Sequence, residues 1–150
     1  MSDSKQTLHQ LEKLLERTVS AREAYKNASK NVHNKPLTTF FEDAARKHDD
    51  FSETLKKEVS AEGGKAEEKT SMKSDADRFW LDFASIIIRR NEAAILKTCA
   101  HAEDEALQQY DQVLSHDLSD KLKQDIEEQR RYAAHLLEEV KSMQEKYYSE

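Results

Sequence analysis

The sequence has very little of the material from which turns and loops are made. Its 150 residues include two glycines and one proline, so the connections between elements must be few. Charged residues make up 36% of the chain, and the strong helix formers Ala, Leu, Glu, Lys, Gln and Arg dominate its composition. The composition predicts long helices in a single domain that is large enough to bury a real core.

Other features that the sequence lacks exclude whole classes of protein. No apolar run approaches the ~20 residues of a membrane-spanning helix, and residues 1–30 have no apolar core of the signal-peptide kind. The formal net charge is −6 and no lysine or arginine cluster of the phosphate-binding kind occurs, so nucleic acid is not an expected partner. The single cysteine, Cys99, is expected to be a small buried side chain and not a reactive thiol. We therefore expect a cytoplasmic protein that binds neither nucleic acid nor membranes.

Apolar residues recur at helical spacing in five stretches of the chain. The pattern predicts helices over about 4–33, 36–61, 75–88, 92–115 and 120–148, all within one domain of residues 1–150. Asn34, Lys35 and Pro36 mark a tight turn, because proline suits the first turn of a helix but cannot continue an existing one. Gly63 and Gly64 end the second helix.

A long segment separates the second of these helices from the one that begins near residue 92. Residues 65–74 are charged and small, and the stretch that follows, over 75–88, is short and aromatic. Such a crossover can join ends at opposite poles of a bundle, whereas a short loop forces its helices to be antiparallel neighbours. The sequence predicts an all-α four-helix bundle of two antiparallel hairpins, with a short fifth helix in the crossover.

A carboxylate interrupts the apolar face of the helix predicted over 92–115. At 100° per residue, Glu103 falls in the middle of this face. The face is formed by Ile95, Leu96, Cys99, Ala106, Leu107, Tyr110, Val113 and Leu114. An ionised carboxylate is rarely buried without a partner. Glu103 therefore either has a partner or marks a site.

Polar residues interrupt the inner faces of the other three long helices as well. Counted from the two turns at 1.5 Å per residue, they lie level with Glu103 if the hairpins pack as one bundle. The sequence thus predicts a polar layer near mid-height, formed by Arg22, His48, Glu103, Gln129 and Arg130. Arg22 or Arg130 is expected to neutralise Glu103, with His48 hydrogen-bonded into the same layer.

The layer is open to three interpretations: a structural ion-pair layer, a small-molecule or single-metal site, and a redox di-metal centre. Di-iron bundles use a glutamate from each of two helices and Glu-x-x-His from each of the others. Three residues before His48 this chain has Ala45, and three residues before His135 it has Tyr132, where the motif requires glutamate. One carboxylate and one imidazole are too few ligands for two metals, and guanidinium groups repel a cation. The structural layer is favoured, with no cofactor and no catalytic residue; in the alternative, Glu103 and His48 are the candidate ligands for iron or manganese.

The predicted crossover helix carries more apolar surface than one of its faces can bury. Phe79, Trp80, Phe83 and three consecutive isoleucines lie within residues 75–88. Burying an isoleucine or a tryptophan is worth ~1.5–3 kcal/mol, so a few such residues meeting a symmetric copy could hold a dimer together. We therefore predict a homodimer through this helix, with Ile88 on its outward side; the alternative is a monomer in which the crossover lies across an open face of the bundle and buries nearly all of these residues.

Several stretches carry a likeness to a known family. They are AREAYKNAS from Ala21 to Ser29, the Gly63-Gly64 break, Arg78-x-Trp80-x-Asp82-Phe83, and Ala94-Ile95-Leu96 followed by Ala102-Glu103-Asp104 and Tyr110. In these features, which run in order over nearly the whole chain, the protein resembles the ferritin-like superfamily. Within that superfamily it is similar to a bacterial family of four-helix-bundle proteins of unknown function related to rubrerythrin.

This resemblance implies a ferritin-like fold without a settled activity, often discussed in connection with stress. The chain departs from the family at Ser20 and Ala21, where members commonly show Asp-Gly, and at Ala102, where they show glycine. With so few carboxylates, the resemblance does not imply iron oxidation. The sequence favours a non-enzymatic bundle protein with a structural polar layer in place of a di-metal site; the alternative is a ferritin-like metal-binding or redox protein with a degenerate site.

Overall fold

In a computed structural model, the chain folds into long α-helices. The structure describes residues 2–65, 83–87, 89 and 91–148. Its main helices are α1 (Ser2–Asn31), α2 (Lys35–Ala61), α3 (Glu92–Leu114) and α4 (Asp120–Tyr148). No strand occurs in the described ranges. The all-α prediction is confirmed, and the predicted ends of these helices agree with the structure to within two residues.

Local hydrogen bonds explain why α2 and α3 begin where they do. The side-chain oxygen of Asn34 accepts a hydrogen bond from the backbone N–H of Leu37 at 3.3 Å, and Pro36 occupies the first turn of α2. Asn91 caps α3 in the same way, accepting from the N–H of Ala94 at 3.1 Å. Each cap satisfies an N–H group that has no partner within its helix.

The glycine pair closes the end of α2. Gly63 has a φ of +87°, and its N–H donates to the carbonyl of Ser60 at 3.1 Å. The N–H of Gly64 reaches back to the carbonyl of Val59 at 2.9 Å. This pair of bonds is a Schellman motif, which needs a left-handed residue at the position that Gly63 holds.

Gly63→Ala should lower the free energy of unfolding by about 1 kcal/mol, because a Cβ is disfavoured at positive φ. Apart from Gly63 itself and its two chain neighbours, no described atom lies within 4 Å of a Cβ built at this position, so the variant tests backbone strain. Gly63→Asn is the matched control, since asparagine tolerates this conformation better. Urea unfolding measures both variants, and an asparagine variant as unstable as the alanine variant would contradict the explanation.

The helices form two antiparallel hairpins that pack side by side. α1 packs against α2 and α3, and α4 packs against α3 and α2. At one pole the N–H of His33 donates to the carboxylate of Glu92 at 3.1 Å. At the other pole Lys121 donates to Glu58 at 3.1 Å. It follows that α2 and α3 run in the same direction, with residues 65 and 91 at opposite poles of the bundle.

Among the described residues, the apolar core consists of two clusters, one toward each pole. The cluster near the α1–α2 turn includes Tyr25, Val32, Leu37, Phe41, Ala44, Leu96, Cys99, Leu136 and Val140. The opposite cluster includes Leu11, Leu14, Leu15, Leu55, Val59, Ala106, Tyr110, Leu122 and Ile126. Glu103 lies on α3 between Cys99 and Ala106, where the clusters meet. The sequence places a carboxylate in the middle of the core.

Part of the predicted crossover helix is described. Residues 83–87 are helical, and Phe83 and Ile87 pack into the cluster near the α1–α2 turn with 0% and 3% of their surfaces exposed. The rest of the predicted helix over 75–88, including Ile88, lies outside the described residues. The homodimer through this helix therefore stays a prediction. None of the described helices is long and apolar enough to cross a membrane.

Candidate functional site

Buried polar side chains from three helices meet around Glu103. The Glu103 residue is 1% exposed. Its Oε2 lies 3.8 Å from Nη2 of Arg17 on α1, and its Oε1 lies 3.8 Å from Nε2 of His48 on α2. The ring of Tyr25, also on α1, lies 5.1 Å from the His48 ring between centroids. We refer to Arg17, Tyr25, His48 and Glu103 as the central cluster.

Arg17 reaches from α1 to α3. Its Nη2 donates a hydrogen bond to the carbonyl oxygen of Ala102 at 2.8 Å, and the residue is 8% exposed. Burial raises the pKa of Glu103, while the Arg17 guanidinium and, to a smaller extent, the Tyr25 hydroxyl act in the opposite direction by favouring the ionised carboxylate. The two side chains thus form a buried ion pair. Burying either charge without the other would destabilise the folded protein.

His48 faces Glu103 through one ring nitrogen and is held by the other. Its Nδ1 lies 2.7 Å from the carbonyl oxygen of Ala44, which can only accept, so Nδ1 carries the hydrogen. Burial lowers the pKa of His48 from 6.5 to about 4, against the opposing effect of the Ala44 hydrogen bond. At neutral pH the ring is uncharged, and its Nε2 lies 3.8 Å from Oε1 of Glu103.

Aromatic rings surround this imidazole. The ring of Phe51 lies 6.3 Å and that of Tyr132 lies 6.0 Å from the His48 ring, in addition to the ring of Tyr25. Lys47 lies over the Phe51 ring, 5.3 Å from its centroid. The rings shield His48 from solvent, which is the physical reason for its low pKa.

Several polar atoms of the central cluster lack hydrogen bonds. Nη1 of Arg17, the hydroxyl of Tyr25 and Oε2 of Glu103 are buried and have no hydrogen-bond partner within the described ranges. Burial also raises the pKa of the Tyr25 hydroxyl well above its ordinary value of 10.0, so this group keeps its proton. Unpartnered buried polar atoms are rare in folded proteins, and each calls for an explanation.

Gln129 is buried but belongs to a neighbouring group. The residue is 1% exposed, and its Oε1 accepts a hydrogen bond from the Tyr110 hydroxyl at 3.3 Å. Tyr110 follows Glu103 by seven residues on α3, which is roughly 10 Å along the axis. Gln129 therefore satisfies a tyrosine two turns away from the carboxylate.

Two predicted members of the layer lie elsewhere. Arg22 pairs with Asp49 across the α1–α2 hairpin, with Nη1 and Oδ1 3.2 Å apart. Arg130 pairs with Asp111, its Nε 2.6 Å from Oδ1. Both arginines lie at the margins of their helices' inner faces, where a long side chain can direct its charge to an exposed carboxylate. The prediction that one of them neutralises Glu103 is corrected, because Arg17 holds that position.

The sequence contains a signal for Arg17 that the prediction did not use. The inner face predicted for α1 runs through Leu15, Thr18, Arg22 and Tyr25 and so includes Arg22 but not Arg17. The buried residues also include a series at spacings of three and four, namely Leu14, Arg17, Ala21, Ala24 and Ala28. An arginine within a series of small apolar residues indicates a charge that enters the core.

The donor set does not fit a di-metal centre. The described ranges contain no group of three or more His, Cys, Asp or Glu residues that could hold a metal ion. Glu103 and His48 are the two candidate ligands in the central cluster, and the Arg17 guanidinium lies beside the carboxylate. Cys99 is buried, as predicted, and burial raises the pKa of its thiol, so it is a poor ligand. His135 is exposed on α4.

Comparison with known proteins identifies a family for most of the chain. No curated protein and no solved structure matches it. A family model described as "Domain of unknown function (DUF2383)" matches residues 6–116. This span contains α2, α3 and nearly all of α1, and with them every residue of the central cluster. The chain therefore belongs to the DUF2383 family.

Proposed function

We propose that the protein is a non-enzymatic ferritin-like helical bundle in which a buried ion pair takes the place of a di-metal site. The observation that carries this proposal is the position of Arg17. Its guanidinium lies 3.8 Å from Glu103 in the bundle centre, with 8% of the residue exposed. A fixed positive side chain at that point neutralises the carboxylate and repels a metal cation.

The helix arrangement supports the ferritin-like part of the proposal. Two antiparallel hairpins with α2 and α3 running in the same direction are what a bundle with one long crossover requires. In ferritin-like di-metal proteins, glutamate and histidine side chains project into the bundle from all four helices. In this chain Glu103 and His48 project into the centre beside an arginine and a tyrosine.

Without a reactive centre, the protein would act through its surface or its assembly. A link to stress follows from the ferritin-like resemblance, and association through residues 75–88 would provide the assembly. We propose that it needs no metal or organic cofactor. The rival is a ferritin-like metal-binding or redox protein that holds iron or manganese at Glu103 and His48.

Elemental analysis of protein purified without chelators separates the two. We expect iron and manganese far below one equivalent per chain, because a single carboxylate already paired with Arg17 has little affinity left for a cation. Glu103→Gln should not change the metal content, and neither should the matched exposed variant Glu105→Gln. Stoichiometric metal that is lost in Glu103→Gln and kept in Glu105→Gln would establish the rival function.

A further inference from the structure

The atoms that face each other in the central cluster are badly matched for direct contact. His48 donates its Nδ1 hydrogen to the Ala44 carbonyl, which leaves Nε2 as an acceptor. Nε2 faces Oε1 of Glu103, another acceptor, at 3.8 Å. That distance is too long for a hydrogen bond. Two buried acceptors that face each other need a donor between them.

Unused donors are present in the same place. Nη1 of Arg17 is buried without a hydrogen-bond partner among the described residues, as is the acceptor Oε2 of Glu103; the Tyr25 hydroxyl makes no hydrogen bond there either, but it lies close enough to lower the pKa of Glu103. The separation between Glu103 and Arg17 is also 3.8 Å, so their ion pair lacks a direct hydrogen bond. The cluster thus combines buried donors and acceptors that lack hydrogen bonds with two contacts of one carboxylate that are too long for hydrogen bonds.

We propose that the central cluster binds one buried water molecule between Glu103 and His48. Its two hydrogens are donated to Oε1 of Glu103 and to Nε2 of His48, and its oxygen accepts from Arg17 Nη1 or the Tyr25 hydroxyl. An oxygen about 2.8 Å from each of two atoms can bridge their 3.8 Å separation. Buried waters typically make about three hydrogen bonds of this kind to otherwise unsatisfied groups.

The charges of the cluster favour a neutral molecule over an ion. An anion would meet the carboxylate of Glu103, and a metal cation would meet the guanidinium of Arg17. An ammonium ion can donate to both acceptors but cannot accept from Arg17 or Tyr25. Water does both, so it matches the donors and acceptors of the cluster. This inference does not rest on the proposed function.

A crystal structure of the full chain near neutral pH, at about 1.5 Å resolution and with anomalous data at the iron and manganese edges, tests the site. We expect a density peak within about 3.2 Å of both Glu103 Oε1 and His48 Nε2, with no anomalous signal. No peak, with Glu103 in direct contact with His48 or Arg17, overturns the water and leaves the proposed function intact. A peak with anomalous signal is a metal, and it overturns both.

Solution NMR gives an independent readout. A water held in the cluster exchanges slowly, so the ring proton next to Nε2 of His48 should show a direct Overhauser effect to water with the sign of a long-lived contact. The ring of His135, whose side chain is 64% exposed, is the internal control and should show no such effect. Absence of a long-lived water contact at His48 would overturn the proposal.

Discussion

Glu103→Ala should lower the free energy of unfolding by about 3–5 kcal/mol, the usual cost of removing one partner of a buried ion pair. The guanidinium of Arg17 would stay in the core without its carboxylate, keeping only its hydrogen bond to the Ala102 carbonyl. Chemical denaturation near neutral pH, with the slope of the transition checked against the native protein, measures the loss.

The chain offers a matched control two residues away. Glu105 is exposed and pairs with His101 at 3.2 Å, so Glu105→Ala should change stability by no more than about 0.5 kcal/mol. The double variant Arg17→Met, Glu103→Met removes both charges and should recover much of the loss. Equal losses in the two alanine variants would show that Glu103 does not depend on a buried cation.

Acid should destabilise the protein through His48. Its pKa is about 4 in the folded state and near 6.5 when the chain is unfolded. Between these values the unfolded chain binds the proton and the folded one does not. The stability that neutral His48 contributes is therefore fully present above pH 6.5 and is lost as the pH falls toward 4. At pH 4.5 this loss lowers the free energy of unfolding by about 2–3 kcal/mol.

The groups that face His48 decide how this effect must be measured. Arg17 lowers the pKa of His48 further, while burial raises the pKa of Glu103. The raised pKa of Glu103 changes stability with pH in the opposite direction. The stability that it contributes is present at low pH and is lost as the pH rises through the pKa of Glu103 in the folded state. The native protein reports only the sum of these effects, so a variant is needed to isolate His48.

His48→Phe isolates the histidine, since phenylalanine suits its aromatic surroundings. The stability that the native protein loses between pH 7 and pH 4.5 should be about 2–3 kcal/mol smaller in this variant. His135→Gln changes an exposed histidine and should leave the loss unchanged. The free energy of unfolding of each protein is measured at a series of pH values. If it depends on pH in the same way for the native protein and for His48→Phe, His48 is not held neutral in the core.

Helix periodicity predicts the backbone of this protein well. Sparse glycine and proline mark the few chain reversals, and the caps at Asn34 and Asn91 define two helix starts. The same periodicity places Glu103 inside because its neighbours on that face are all apolar. These features depend on residues close together in sequence, so no tertiary information is needed to predict them.

The partner of Glu103 depends on contacts that periodicity does not describe. Arg17 and Arg22 are both at plausible heights on α1, and a long flexible side chain can turn inward or outward from either position. Asp49 attracts Arg22 outward, whereas Arg17 has the Ala102 carbonyl and Glu103 within reach across the bundle. The choice is made by residues 27 and 85 positions away, which one helix pattern cannot include.

The bond from Arg17 to Ala102 also has a consequence for how the two hairpins find their alignment. Apolar faces alone allow one hairpin to slide along the other, since leucine and alanine recur on every turn. A slip of one helical turn, about 5.4 Å, would place Glu103 against side chains such as Leu14 or Ala21, both fully buried. An uncompensated charge there costs several kcal/mol. The central cluster thus favours one register between the hairpins and destabilises the registers that are shifted by one helical turn.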